Sequence, residues 1–174
     1  MRKIVVLLVN GGLASTSILP MEIFQSAGTL WNALNGLPLE SRFEVVTASA
    51  DGAPVKVSRH LALTPELACA EVVEPDLVFV AAGGLEFEAM VSQAYDPVET
   101  VARNAALLPW LRRWHADGAT IVTACSGALL AAEAGLLEGK RATAHWGLAG
   151  LYAQHYPNVD WREEYLVTDC GDVV

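Results

Sequence analysis

Three short runs, "KIVVLLV" at Lys3–Val9, "DLVFVAA" at Asp76–Ala82 and "ATIVTA" at Ala119–Ala124, are rich in β-branched and aliphatic residues and barely alternate between apolar and polar positions. Strands that read this way are buried on both faces, as in a parallel sheet covered by helices on either side. The stretches between them supply those helices. Pro20 suits the first turn of a helix over "MEIFQSAGTLWNAL". "RFEVVTAS" is a further strand, Asp51-Gly52 marks a turn, and "PVKVSRHLAL" reads as a small hairpin. In "DPVETVARNAALLPWLRRWHADG", Val98, Val101, Ala105 and Leu108 recur at helical spacing, Pro109 kinks that helix or starts another, and Gly118 stops it. "RATAH" predicts a short strand and "GLAGLYAQHY" a helix closed by Pro157, while "YLVTDCGDVV" predicts two strand pieces around a Cys-Gly turn. Strands alternating with helices imply an α/β fold, a three-layer α/β/α sandwich on a mostly parallel sheet.

A chain of 174 residues, 53% of them hydrophobic, suits one domain spanning 1–174 with ample material for its core. No apolar run reaches the roughly 18 residues of a membrane span. The first run leads into Asn10-Gly11-Gly12 rather than a signal-peptide cleavage site. A cytoplasmic protein with no membrane partner is the expectation. The net charge of -9 repels phosphate backbones, so this segment is not expected to grip nucleic acid. Cys69, Cys125 and Cys170 fit neither a disulfide framework nor a zinc site, and no metal or cofactor is expected. "GDVV" stops within what reads as a strand, which suggests a domain that continues past Val174.

Cys125 stands at the joint between a strand and a helix, in "IVTACSGALLAAEAG". A sharp strand-to-helix turn lifts its residue out of the carboxyl edge of the sheet, where ligands bind in open α/β folds. It also sets the residue at a helix N-terminus, whose dipole favours a thiolate. Tight turns need small residues, and Ser126, Gly127 and Ala128 follow. This is the logic of a nucleophile elbow with Cys in place of Ser. Gly83-Gly84, ending "DLVFVAAGG", can turn backbone N–H groups toward a ligand, so Gly84 and Ser126 are candidate oxyanion-hole donors. Of four histidines, His60, His115 and His155 read as surface or capping residues, whereas His145 ends "RATAH" where it could share the cysteine's proton.

The stretch "ACSGALLAAEAGLLEGKRATAHW", with "PDLVFVAAGG", "PMEIFQSAG", "LRRWHADGATIV" and "HYPNVDW" in the expected order, resembles the class I glutamine amidotransferase-like superfamily, ThiJ/PfpI branch. Within that branch it is most similar to the sensor half of AraC-family transcriptional regulators. The resemblance covers nearly the whole chain. It implies a flavodoxin-like fold in which Cys125 is the elbow cysteine, His145 its partner, and Gly84 and Ser126 the oxyanion-hole donors. Enzymes of the branch carry an acid four positions before the proline matching Pro20, where this chain has Thr16. A hydroxyl can hydrogen-bond the sulfur but is no general acid or base near neutral pH. The third member of a glutaminase triad would fall at Gly147, so a glutaminase is not expected. Glu22 reads as a first-turn acid of its helix.

The resemblance further implies a helix-turn-helix DNA-binding domain after residue 174, a homodimer, and a small-molecule effector in the cleft around Cys125, with Gly83 and Trp146 nearby. Trp31, Trp110, Trp114 and Trp161 are candidates for the paired face. Two alternatives stand beside the sensor. One is a cysteine-dependent enzyme acting on isonitriles or small amides, and the other is a redox or carbonyl-stress sensor.

Overall fold

The computed structural model describes residues 1–58, 60–84 and 95–174. Strands β1 (Arg2–Leu7), β2 (Phe43–Ser49), β5 (Leu67–Ala68), β6 (Leu77–Val80) and β7 (Thr120–Thr123) form a sheet in the order β5-β2-β1-β6-β7. Every pairing within it is parallel. Val5, Val6 and Leu7 on β1, Val78 and Val80 on β6, and Ile121 on β7 are fully buried, which accounts for the unalternating apolar runs. The hairpin β3 (Val55–Ser58) and β4 (Leu61–Leu63) forms as expected; Arg59 within it lies outside the described residues.

Helices α1 (Ser15–Ser26) and α2 (Leu30–Leu34) lie between β1 and β2. Helices α3 (Pro97–Arg103) and α4 (Leu108–Ala116) precede β7, α5 (Gly127–Glu133) follows it, and α6 (Trp146–His155) comes later. The crossover from β1 runs one way across the sheet to β2, and the crossover from β6 runs the other way to β7. Right-handed connections in opposite directions place their helices on opposite faces, which makes the three layers. The reversal sets the carboxyl ends of β1, β6 and β7 side by side, and Asn10, Gly83 and Cys125 follow those ends.

Local readings differ from the sequence expectation at five places. The first helix begins at Ser15, five residues before Pro20, because the Ser17 and Ile18 amides both donate to the Ala14 carbonyl and start the turn early. That helix does not run on to Leu34: it ends at Ser26, and Gly28 takes a φ of 77° before α2. "RATAH" is a strand only at Arg141–Ala142 (β8), which pairs in parallel with β9 (Asp160–Trp161) outside the main sheet. "YLVTDCGDVV" makes no strand pieces, but Val173 bridges Ile121 and the Thr123 amide donates to the Val174 carbonyl at 2.8 Å. Those last residues therefore lie along β7. Asp172, beside them, holds His115 Nε2 at 2.8 Å and Lys140 Nζ at 2.6 Å, so His115 is a tether rather than a free surface residue. Pro109 starts α4, one of the two outcomes expected of it.

Candidate functional site

Cys125 ends the loop after β7 with a φ of 55°, a left-handed conformation that costs a non-glycine residue about 1–2 kcal/mol. Gly127 shows why the turn needs small residues. A Cβ there would lie 2.5 Å from the Val80 carbonyl oxygen and 2.9 Å from that of Ala81. The start of α5 is thus pressed against the end of β6, which brings the Cys125 turn to the glycine pair.

Ser126 is wholly buried and closes that junction in both directions. Its hydroxyl donates to the Gly83 carbonyl at 2.9 Å and accepts from the Gly83 amide at 3.0 Å. A Cβ on Gly83 would meet Val9 at 2.3 Å, and one on Gly84 would meet the Thr100 hydroxyl at 2.0 Å. Both glycines are therefore required by close approach. The Gly84 amide, however, donates to the Asn10 carbonyl at 3.3 Å and is already engaged. Among the described residues, the Ser126 amide has no backbone acceptor.

Thr16 sits where the first loop meets the end of β6. Its hydroxyl donates to the Leu13 carbonyl at 2.7 Å and accepts from the Ala82 amide at 3.1 Å. It ties the loop together and, among the described residues, makes no hydrogen bond to the sulfur. His145 caps α6, its Nδ1 accepting from the Gly147 amide at 3.2 Å, and its ring stacks on Trp146 with centroids 5.2 Å apart. Among the described residues no hydrogen bond joins His145 to Cys125. Trp146 is 74% exposed. Trp31 is also exposed, but Trp114 is buried in the core and unavailable for pairing, with Trp110 and Trp161 packed against it.

The Cys125 thiol is not drawn toward thiolate as its place at a helix N-terminus suggests. Burial pushes its pKa up, and the opposing hydrogen bonding from the Ser126 amide and side chain is the smaller influence. The helix is only seven residues long and partly buried surroundings desolvate the anion, so the neutral thiol is favoured.

Two residues that sequence reading passed over pair with each other. Tyr95 and Tyr152 share a hydrogen bond of 2.7 Å between their hydroxyls, and Tyr152 is wholly buried. Burial raises the pKa of both, and the charge of an ionised Cys125 raises both further. A signal for Tyr152 was present: it follows His145 by seven positions, two helical turns along the same face.

A cleft of about 710 Å³ lined by Val72, Glu74, Asp76, Arg113 and Asp117 lies at the amino-terminal edge of the sheet, away from this chemistry. Among the described residues no group of His, Cys, Asp and Glu is arranged to hold a metal ion, and no helix is long and apolar enough to cross a membrane.

Comparison with known proteins matches residues 2–174 to the DJ-1/PfpI family, and the chain belongs to it. The HTH-type transcriptional regulator CdhR of Pseudomonas aeruginosa is 33% identical over 121 residues, 70% of this chain and 32% of that protein. The chain thus spans about a third of that regulator's length. The "Uncharacterized protein in cpoL 5'region" of Streptomyces lividans is 28% identical over 156 residues, 90% of this chain and 96% of that protein. The crystal structure of an AraC family transcriptional regulator from Pseudomonas putida shares the fold with a TM-score of 0.68 at 18% identity, covering 99% of this chain and 82% of that one. The flavodoxin-like, glutamine amidotransferase-like α/β fold expected from the sequence is the fold observed.

Proposed function

We propose that this member of the DJ-1/PfpI family is the ligand-sensing domain of an AraC-type transcriptional regulator, taking a small effector at the Cys125 turn. One observation carries the reading: the turn is built for a reactive thiol, yet the groups that would make it an enzyme nucleophile are engaged elsewhere. Thr16 replaces the acid and is bonded to Leu13 and Ala82, His145 caps a helix, and the Gly84 amide holds Asn10. The thiol is kept protonated by burial. Such a site holds a molecule better than it turns one over. The likeness to CdhR supports the regulatory context. DNA would then be held by a C-terminal helix-turn-helix domain beyond residue 174, which suits the acidity of this part, and a homodimer would bind paired half-sites. Trp146, exposed beside His145, suits an amine, amide or quaternary ammonium effector.

The test is a metabolite screen by thermal shift, followed by DNA binding of the native chain with and without each hit. A binder at a hundred times its Kd adds about 2.7 kcal/mol of stability. Hits that raise the melting temperature and change DNA affinity support the proposal. A screen in which stabilising compounds leave DNA binding untouched overturns the regulatory part of it.

A second reading, a cysteine-dependent hydratase or hydrolase, is favoured by the Ser126 amide, which among the described residues has no backbone acceptor and lies against the Cys125 thiol. Turnover of small amides or isonitriles that Cys125→Ala abolishes would install it in place of the sensor.

A further inference from the structure

Helix α1 carries apolar side chains away from the sheet as well as toward it. Ser17 is buried, and the Phe24 ring stands edge-on to Phe43 of β2 with centroids 5.3 Å apart, so these two face the sheet. Leu19 and Ile23 lie about half a turn round the helix from them, and both are more than half exposed. A surface helix ordinarily keeps its apolar stripe for the core and gives its polar residues to water. The next helix repeats the departure. Leu30, Trp31 and Leu34 of α2 are all exposed, Trp31 by 69% and Leu34 by 76%.

The loop after α2 is fastened beside them. The Leu37 amide donates to the Asn32 carbonyl at 2.9 Å, and the Asn32 side chain donates to the Pro38 carbonyl at 2.8 Å. The Glu40 amide then donates to the Gly28 carbonyl at 3.0 Å, which folds the loop back onto the bend between α1 and α2. The approach is close: a Cβ on Gly28 would lie 2.0 Å from the Glu40 carbonyl oxygen. Leu39, between the two tethers and also exposed, extends the same surface.

Size and charge indicate what covers it. Leu19, Ile23, Leu30, Trp31, Leu34 and Leu39, each more than half exposed, together offer on the order of the 800 Å² per partner that a stable interface buries. The largest apolar patch of a typical monomer is smaller, about 300–600 Å². Between Lys3 and Glu40 the one charged side chain is Glu22, in a chain of net charge -9. Copies this acidic repel each other, and they repel an anionic lipid surface. A stretch almost free of charge is where two of them can meet against the least repulsion.

We propose that the α1–α2 surface is the pairing face of this chain, and that its occupant is the same surface of a second copy related by a two-fold axis. A two-fold contact needs only one self-complementary patch, and helices that present leucines at four-residue spacing supply it. Trp31 is then the tryptophan used for pairing. The inference gives a face to the homodimer of the proposed regulator and is independent of what binds at Cys125.

Sedimentation equilibrium of the native chain at micromolar concentration, without DNA, tests it. The parent is expected to be dimeric. Leu34→Glu and Trp31→Glu should each weaken the dimer by at least about a hundredfold, because the contact is lost on both copies. Leu166→Glu is the control, since Leu166 is 99% exposed but lies in the segment that Thr143 holds through the Tyr165 carbonyl. It should change the dissociation constant by less than about twofold. Dimers of undiminished strength in both α2 variants would show that another face pairs, overturning this inference and leaving the homodimer standing. A monomeric parent overturns both, and its flotation with phosphatidylcholine vesicles would give the face to lipid instead. Circular dichroism checks that each variant is folded. Should the glutamate variants fail to fold, dilution of the parent through dissociation should red-shift its tryptophan emission, and Trp31→Phe should abolish the shift. A shift that persists in Trp31→Phe overturns the assignment.

Discussion

The Cys125 turn and the start of α6 are made differently. On the turn side, Cys125, Ser126, Gly127 and Gly83 are held by backbone contact, a reciprocal hydrogen bond and near-total burial. On the helix side, His145 and Trp146 stack on each other at the start of α6, with Trp146 open to solvent. The first arrangement tolerates almost no change in volume; the second could accept many side chains without disturbing the core. At the ligand site proposed above, such an arrangement would keep the thiol in place and leave recognition to residues that can vary.

The sharpest way to break the contrast is to add one methyl group to each side. Gly127→Ala drives a Cβ into the carbonyls of Val80 and Ala81, and should cost about 3 kcal/mol, roughly 10 °C in melting temperature. Gly147→Ala meets only the His145 ring, at 3.3 Å, and should change stability by under about 0.5 kcal/mol. Equal effects in thermal denaturation would dissolve the distinction.

Ser126→Ala comes next. It strands the Gly83 amide in the core and should cost about 2 kcal/mol, whereas His145→Ala on the open side should cost about half as much, the typical worth of a cap. Urea denaturation of the two variants checks the order.

How much of this was legible beforehand follows the same division. Four strands of the sheet and the Cys125 joint were readable because apolar runs and small residues are local signals of burial and close approach; the two-residue edge strand β5 was not. The role of "RATAH" was not. Its β-compatible residues give a strand only at Arg141–Ala142, because the chain then turns so that His145 can cap α6, a tertiary outcome that no local propensity encodes. Thr16 bonds at the end of β6, and its partners Leu13 and Ala82 depend on how the first loop meets that strand. The tyrosine pair was hidden because Tyr95 and Tyr152 are far apart in sequence and each passes for an ordinary packing residue.

Cys125 itself offers a finer measurement. Cys125→Gly removes the penalty of a positive φ and should be more stable than Cys125→Ala by about 1 kcal/mol, a gain that comes with loss of the thiol. The reverse order in calorimetry would mean that the side chain contributes more packing than the backbone loses in strain.

The smallest expected effects concern titration. Because burial raises the Cys125 pKa, its alkylation rate should still be climbing with pH as an ordinary thiol levels off, with no plateau near neutrality. Asp172 is shifted the other way, to about 2, by Lys140 and His115. A depressed folded-state pKa gives stability that is present above the unfolded value and lost as pH falls through the folded one. The difference between wild type and Asp172→Asn should thus fade between about pH 4 and 2. Asp172 is nearly half exposed, so the difference at neutral pH should stay under about 1 kcal/mol.

The reciprocal bond between Ser126 and Gly83 has one more consequence. Two loops that leave different strands would ordinarily fluctuate independently, and a ligand touching one would tell the other nothing. Bonded donor to acceptor in both directions, the loop after β6 and the loop after β7 share a single degree of freedom. A molecule that displaces either must displace both, so the ligand site proposed above would register its ligand as one event, regardless of which edge the ligand reaches first.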